Sequence, residues 1–243
     1  MSTGPELAGQ TVVLIGGSAG IGLETARRAR AEGADVILAA RHPDRLKQAA
    51  DEVGAARTAA FDATDPAALR GFFDGLPAPI DHVLVTGGGP TYQPLLEMDA
   101  AQARDALSDH LALDLQVARN AAPRMRPGGT LLFMGGTGGR HIGRGAGIFP
   151  AATAALPAFV ASLALEIAPV RANLIAAGFV DTPLSARLLG DQLDARRAEL
   201  RSTLPIGRVV TPADVAALAV HIMTNTALTG ATYDVDGGEQ FTY

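Results

Sequence analysis

The chain has 243 residues, 48% of them hydrophobic, and a formal net charge of −5; these values suit one large core and disfavour a nucleic-acid surface. Cysteine is absent, which excludes disulfides, thiol catalysis and cysteine-ligated zinc, and no metal site is predicted. The apolar runs are shorter than the roughly 20 residues of a membrane span, and residues 1–10 carry no secretory pattern, so we expect a cytoplasmic protein without membrane or nucleic-acid partners.

Short, almost wholly apolar runs alternate with longer segments rich in alanine and leucine. Such runs are typical of strands covered on both faces, and their alternation with helices predicts a parallel sheet with right-handed crossovers. The predicted strands are Thr11–Ile15, Asp35–Ala40, Thr58–Phe61, His82–Val85, Thr130–Met134, Arg171–Ala176 and Thr232–Val235. The predicted helices are Ile21–Glu32, Pro66–Phe73, Ala101–Met125 and Ala151–Ile167, and a further helix starts at Thr211.

Residues 183–205 interrupt this alternation. They fit no strand–helix unit, and their leucines and arginines are typical of an amphipathic flap, so we expect a lid over a ligand. Elsewhere the chain has no repeat and no linker. We therefore predict an α/β protein, a single doubly wound Rossmann-type domain over residues 1–243 with helices on both faces of the sheet.

A glycine-rich turn, Gly16-Gly17-Ser18-Ala19-Gly20-Ile21-Gly22, follows the first predicted strand and opens the first predicted helix. Glycines permit a tight turn, and the helix N-terminus offers free N–H groups to a pyrophosphate. Because a strand precedes the turn and a helix follows it, a dinucleotide site is favoured over a purely structural turn. The predicted binding residues are Gly16, Ser18, Gly20, Ile21 and Gly22.

Two further positions bear on the cofactor. Arg41 ends the second strand, where an NAD site usually has an acid for the ribose 2′-hydroxyl. Arginine instead suits a 2′-phosphate, so NADP(H) is preferred and NAD(H) is the second choice, unless Arg41 is a solvated surface residue. Asp62 and Ala63, after the third strand, stand where adenine would lie, although Asp62 could equally cap a turn.

Over nearly its whole length the sequence resembles the short-chain dehydrogenase/reductase family. The glycine turn is similar to that family's Thr-Gly-x-x-x-Gly-x-Gly, and Phe61–Thr64 to its adenine-contacting Asp-Val motif. Thr86–Gly89 stands for its Asn-Asn-Ala-Gly, of which only Gly89 matches, and residues 177–183 resemble its Pro-Gly…Thr stretch. The resemblance implies that Gly89 lies at the cofactor, and that Val180 and Thr182 touch the nicotinamide carboxamide.

The resemblance also implies the overall assembly. It suggests a seven-stranded parallel sheet with the cofactor across its carboxyl edge, and a small-molecule substrate. It further implies a homo-oligomer, a tetramer or a dimer, formed through two long helices, Ala101–Met125 and Phe149–Ile167.

The family's catalytic places hold other residues. Phe149-Pro150-Ala151-Ala152-Thr153 stands where the family has Tyr-x-x-x-Lys, so Phe149 replaces the tyrosine and Thr153 the lysine. Gly136 stands for the serine, and His110 for an asparagine in the preceding helix. The chain's one lysine, Lys47, lies toward the adenosine end. General acid–base catalysis contributes roughly 10²–10⁴-fold, so ordinary alcohol–ketone interconversion needs a replacement donor.

Three side chains are candidate donors. His110 could act as acid or base, because imidazole titrates near neutrality, or it could cap or pack its helix. Thr137 could hydrogen-bond a substrate oxygen or serve only its own turn. Tyr92 could reach the pocket or could be a packing aromatic.

Three functions remain open. The preferred one is a divergent NADP(H)-binding oxidoreductase with an atypical site, for which an activated C=C or iminium acceptor would need less acid help than a ketone. The second is a non-redox enzyme on the same fold: a dehydratase, isomerase or cyclase. The third is a catalytically inactive NADP(H)-binding or regulatory subunit. Fold similarity alone does not choose among them.

Overall fold

The computed structural model describes residues 6–87, 89, 92–140, 142 and 146–242, except the side chain of His110. Within this part of the chain, seven strands form one sheet in the order β3-β2-β1-β4-β5-β6-β7, and every neighbouring pair is parallel. The predicted seven-stranded parallel sheet is confirmed. The strands are β1 Thr11–Ile15, β2 Asp35–Ala40, β3 Arg57–Ala60, β4 Ile80–Val85, β5 Met125–Gly136, β6 Arg171–Ala177 and β7 Thr232–Val235.

Helices connect the strands and cover both faces of the sheet. The α-helices are α1 Gly20–Ala31, α2 Pro43–Val53, α3 Pro66–Asp74, α4 Ala100–Ala121, α5 Phe149–Glu166, α6 Pro183–Leu189, α7 Leu193–Thr203 and α8 Pro212–Thr224. Single 3₁₀ turns occur at Leu95–Glu97, Ala122–Arg124, Thr137–Gly139, Gly190–Gln192 and Glu239–Phe241.

The sheet separates two hydrophobic cores, because successive side chains of a strand point to opposite faces. On one face Val83 and Phe133 pack with residues of α3, α4 and α5. On the other face Leu84 and Leu132 pack with residues of α1, α2 and α8. Every residue of β4 is buried, Asp81 and His82 included, and the other four residues are apolar, as expected for a strand covered on both faces.

The long helix predicted at Ala101–Met125 ends earlier than expected. α4 stops at Ala121, and a 3₁₀ turn containing Pro123 follows it. Proline has no N–H to donate and its ring clashes with the carbonyl one turn back, so it ends the helix. The next strand then starts at Met125, ahead of the predicted Thr130.

Two helical regions were not predicted. α2 begins with Pro43 at its first turn and ends at Gly54, whose φ is 68°. Residues 183–205, for which the sequence predicts an amphipathic flap without assigning helices, contain α6 and α7. Their proposed action as a lid stays a prediction.

By length and composition α5 could cross a membrane, with a mean hydropathy of 1.4 over 18 residues. A core helix meets the same criterion. Leu156, Val160 and Leu163 of α5 lie in the core beside the sheet, so its apolar character is used in packing.

The strand order reverses between β1 and β4. In doubly wound sheets, ligands bind outside the carboxyl ends of the strands at such a reversal. The glycine turn leaves the end of β1, and Thr86 and Gly87 leave the end of β4, so both segments border this crevice.

Candidate functional site

The glycine turn has the backbone that an anion site needs. Gly16 has a φ of 96° and Gly20 one of 55°, a left-handed conformation that favours glycine. A Cβ on Gly22 would lie 2.4 Å from the carbonyl oxygen of Gly16. Ala19 supplies no side-chain cap to α1, and the first turn of α1 carries no acid. The start of this helix therefore fits the pyrophosphate of a dinucleotide.

Thr86 holds this turn in place. Its hydroxyl lies 3.2 Å from the carbonyl oxygens of both Ile15 and Gly16 and can donate to either. Its backbone N–H donates to the Ile15 oxygen at 2.8 Å. A Cβ on Gly16 would lie 2.4 Å from the Thr86 hydroxyl. Thr86 thus positions the turn, a role that the motif around it did not indicate.

Arg41 and Asp62 lie near each other, just after β2 and β3. Asp62 accepts hydrogen bonds from the backbone N–H of Thr64 at 3.0 Å and from its hydroxyl at 2.8 Å. These bonds, and to a lesser degree the charge of Arg41, lower the pKa of Asp62. Asp62 therefore caps its own turn. Contacts of Arg41, Asp62 and the adjacent Ala63 with a cofactor stay predictions.

A cavity of about 600 Å³ opens at the carboxyl edge of the sheet, a volume typical of small-molecule sites. Four of the predicted cofactor residues line it: Ile21, Gly89, Val180 and Thr182. The Thr182 hydroxyl accepts the Ser185 N–H at 3.2 Å and caps α6. Most of the other lining side chains are apolar, among them Met134, Phe149, Pro150, Phe179, Leu184 and Leu188.

Gly136, Phe149 and Thr153 meet at one wall of this region. A Cβ on Gly136 would lie 3.6 Å from both Phe149 Cζ and Thr153 Cγ2. Thr153 is buried, and its hydroxyl lies 3.0 Å from the carbonyl oxygen of Pro150 and 3.2 Å from that of Phe149. These are the three residues that the family resemblance aligns with serine, tyrosine and lysine. None of the three is ionisable.

Two of the three candidate donors line the cavity, Tyr92 and Thr137. The Tyr92 ring packs edge-on against Phe149. Burial, and secondly the negative charge of Glu239, raise the pKa of the Tyr92 phenol, which keeps the hydroxyl protonated at neutral pH. Thr137 is buried in the 3₁₀ turn after β5. His110 belongs to α4, but its side chain lies outside the described residues.

A charged pair lines the same cavity: Arg196 of α7 and Glu239 of the last 3₁₀ turn form an ion pair. Glu239 also accepts the Phe179 N–H at 2.7 Å. Sequence patterns indicated Arg196 only as part of the flap and did not indicate Glu239. Asp236-Gly237-Gly238 directly precedes Glu239 in the sequence.

Arg197, the next residue of α7, anchors this helix to the segment between β6 and α6. Arg197 donates two hydrogen bonds to Asp181, at 3.0 Å and 2.7 Å. Asp181 lies between Val180 and Thr182, so this contact joins α7 to the segment that lines the cavity.

Asp114 is a buried carboxyl in α4, four residues after His110. It is 1% exposed, and neither carboxylate oxygen has a hydrogen-bond partner within the described part of the chain. Burial raises the pKa of Asp114 well above its usual range. Its only sequence signal is an acid within an apolar stretch of helix.

A family model described as enoyl-(acyl carrier protein) reductase matches residues 16–240 of this chain. The match runs from the glycine turn to the turn that carries Glu239. The chain belongs to the short-chain dehydrogenase/reductase family.

Several known proteins are similar to this chain over almost their entire lengths. An uncharacterized oxidoreductase of Mycobacterium tuberculosis is 32% identical, over 96% of this chain and 92% of its own. The crystal structure of BdcA in complex with NADPH has a TM-score of 0.83 at 27% identity and covers 96% of this chain and 95% of its own. The reductase/Diels-Alderase MalC from Malbranchea aurantiaca has a TM-score of 0.90 at 23% identity, over 98% of both chains, a likeness of fold alone.

Proposed function

We propose that the protein is a divergent NADP(H)-dependent oxidoreductase whose active site lacks the serine, tyrosine and lysine of its family. The proposal rests on the convergence of Gly136, Phe149 and Thr153 at one wall of the cavity region. A Cβ on Gly136 would lie 3.6 Å from Phe149 Cζ and 3.6 Å from Thr153 Cγ2. The three residues aligned with the catalytic set converge as that set must, yet none can supply a proton at neutral pH. A reductase with this site therefore needs another acid.

NADP(H) is the proposed cofactor, and when bound it would supply or accept the hydride. The uncapped start of α1 suits the pyrophosphate, and Arg41 suits a 2′-phosphate. BdcA, a structural relative, was crystallised with NADPH. Val180 and Thr182, which line the cavity, would hold the nicotinamide carboxamide. NAD(H) is the second choice.

Tyr92 is the proposed donor toward the substrate oxygen or nitrogen. Its ring lies against Phe149 and lines the cavity, beside the residue that the family resemblance aligns with the catalytic tyrosine. The raised pKa of Tyr92 makes it a persistent hydrogen-bond donor rather than a strong acid. Such a donor suits an activated C=C or iminium acceptor better than a simple ketone. Thr137 is a second hydroxyl in the same cavity, and His110 stays a prediction.

A homo-oligomer formed through α4 and α5, a dimer or tetramer, is part of the proposal. Leu115 of α4 is 44% exposed and Leu165 of α5 is 83% exposed, so both helices carry apolar surface that a second copy could cover. Light scattering on the purified protein measures this directly. A cytoplasmic location and a lid at residues 183–205 likewise stay predictions.

The deciding experiment measures NADPH binding and NADPH oxidation separately. Fluorescence titration gives the Kd for NADPH, and absorbance follows oxidation with a panel of enones, cyclic imines and ketones. We expect binding, with oxidation by enones or imines. Binding without oxidation over the whole panel would favour the non-redox enzyme or the inactive subunit. Failure to bind either NADPH or NADH would remove the cofactor from the proposal.

A further inference from the structure

Glu239 and Arg196 are the charged residues among the described lining of the cavity. They lie on different elements: Arg196 on α7 and Glu239 near the C-terminal end, in the 3₁₀ turn after Gly238. Their ion pair joins the two elements across the cavity wall. Among the described lining residues, the cavity therefore has one positive and one negative group, which neutralise each other.

The position of Glu239 is fixed by its surroundings. Its side chain is 13% exposed, and Oε2 accepts the Phe179 N–H at 2.7 Å. A Cβ on Gly178 would lie 2.5 Å from that same oxygen, and one on Gly238 would lie 2.6 Å from Pro205. The turn thus folds closely over its neighbours and holds the carboxylate at the end of β6.

Arg196 is shared between two carboxylates. Besides Glu239, its Nη1 donates to Glu199 at 2.9 Å. A carboxylate on a bound molecule would compete with both partners for this one guanidinium. A cation on a bound molecule would compete with Arg196 for Glu239. Because most of the other described lining side chains are apolar, a charged group without a partner also loses its hydration there.

We propose that the Glu239–Arg196 pair makes the position next to Phe179 selective for uncharged groups of the substrate, excluding both carboxylates and ammonium ions from that position. This inference rests on the proposed function, because it describes the substrate of the same site. The pair still offers hydrogen bonds to neutral groups, since a guanidinium has five N–H donors and a carboxylate about four acceptor positions. The favoured substrate is apolar with a neutral hydrogen-bonding group, such as an amide.

The test uses three probes of one shape: 4-phenylbutanamide, 4-phenylbutanoate and 4-phenylbutylamine. Each is titrated into the full-length protein saturated with NADPH, and binding is followed by cofactor fluorescence and by the shift in Tm. No turnover is required, so a failed redox assay leaves this test intact. Titrations without cofactor are run alongside, so a failure to bind NADPH is seen separately. We expect the amide to bind the unaltered protein at least about tenfold more tightly than either ion.

Two single variants should each raise the affinity of the cavity for one of the two ionic probes. Glu239→Gln frees Arg196 and should raise affinity for the carboxylate roughly tenfold, whereas Arg196→Gln frees Glu239 and should raise affinity for the amine roughly tenfold. The double variant should show neither gain, which assigns each gain to the remaining charged partner. Asp194→Asn is the matched control, because Asp194 is exposed and pairs with Arg197 on the same helix.

The outcomes are distinct. Equal binding of the amide and the carboxylate to the unaltered protein, or no binding of the amide, would overturn the proposal. So would unchanged probe ratios in both single variants while Tm stays within a few degrees of the parent. If one single variant loses its folded state, the other single variant carries the test, because each should gain affinity for one ion only.

Discussion

The ring of Tyr92 lies edge-on against the ring of Phe149, with 5.6 Å between centroids and 75° between ring planes. Tyr92 comes from the loop after β4, whereas Phe149 opens α5. The contact brings a phenol from one element to the place where the family resemblance expects a phenol from another. Its geometry is favourable for aromatic pairs, so the ring position does not depend on the hydroxyl.

Tyr92→Phe should therefore keep the packing and remove the donor. We expect kcat for NADPH oxidation with an accepted enone or imine to fall by roughly 10²-fold, with the Kd for NADPH unchanged. Steady-state kinetics and fluorescence titration measure the two effects. Tyr233→Phe, in β7, is the matched control and should leave kcat unchanged. An unchanged kcat in Tyr92→Phe would exclude this phenol as the donor.

Restoring the family residues should create ketone reductase activity. A Cβ on Gly136 would lie 3.6 Å from its nearest neighbouring atoms. This is an ordinary van der Waals distance, so the Cβ of a serine fits there. Gly136→Ser, Phe149→Tyr and Thr153→Lys together should supply a phenol tuned by an ammonium. We expect NADPH-dependent reduction of ethyl acetoacetate to rise at least about 10²-fold over the parent.

The single variant Phe149→Tyr is the control for this prediction. Without a nearby cation its phenol keeps a high pKa, so it should gain little. A folded triple variant that binds NADPH but reduces no ketone would show that more than these three residues separates this site from its relatives.

Arg41 should decide the choice between the two cofactors. Arg41→Ala should raise the Kd for NADPH by roughly 10- to 100-fold, because a charged hydrogen bond to the 2′-phosphate is lost, and should leave the Kd for NADH almost unchanged. Lys47→Ala is the matched control, since Lys47 is another exposed cation close to β2. Equal weakening of NADPH and NADH would mean that Arg41 does not recognise the 2′-phosphate.

Patterns within short stretches of sequence predicted the fold of this protein, but not which charged side chains line its cavity. The sheet and the glycine turn follow from apolar runs and from glycines at a strand–helix junction, which depend on near neighbours in sequence. Glu239 lines the cavity because the C-terminal turn folds back onto Phe179, which lies 60 residues earlier in the sequence. Nothing in the residues around Glu239 encodes that contact. The burial of Asp114 likewise follows from how α4 packs, and the pattern of α4 alone shows only an acid among leucines.

Asp114 should be a source of instability at neutral pH. Its folded pKa is raised by burial, so the native state holds its proton more tightly than the unfolded state does. Tighter proton binding by the native state stabilises it fully at pH values below the unfolded-state pKa of Asp114. This stabilisation is lost as the pH rises through the folded-state pKa. Asp114→Asn removes this titration and should raise the free energy of unfolding at pH 7 by about 1–3 kcal/mol.

Urea denaturation at pH 7 and pH 4.5 measures this effect, with the gain expected to shrink at the lower pH. Asp109→Asn is the matched control, because Asp109 is an exposed residue of the same helix. A variant less stable than the parent at pH 7 would mean that the carboxyl has a partner that Asn cannot replace.

The buried His82 of β4 should change the free energy of unfolding with pH in the direction opposite to Asp114. It is 3% exposed, its Nε2 lies 2.7 Å from Gln10 Oε1, and its Nδ1 has no hydrogen-bond partner within the described residues. Burial lowers the pKa of His82 from 6.5 to about 4, opposed by the charge of Asp81 and aided to a lesser degree by that of Arg171. Between these values the unfolded state binds a proton that the native state does not, so stability falls as the pH falls. The loss should reach roughly 3 kcal/mol at pH 4.

His82→Gln removes this titration, and His221→Gln, at an exposed histidine of α8, is its control. The measured quantity is the difference in unfolding free energy between variant and parent at pH 7, 6, 5 and 4, since this difference cancels the opposing slope from Asp114. We expect it to move in favour of His82→Gln as the pH decreases below 6.5, and to stay constant for His221→Gln. A pH-independent difference for His82→Gln would show that the native state accommodates the imidazolium, either by opening this end of the sheet to water or by forming a new contact at Nδ1.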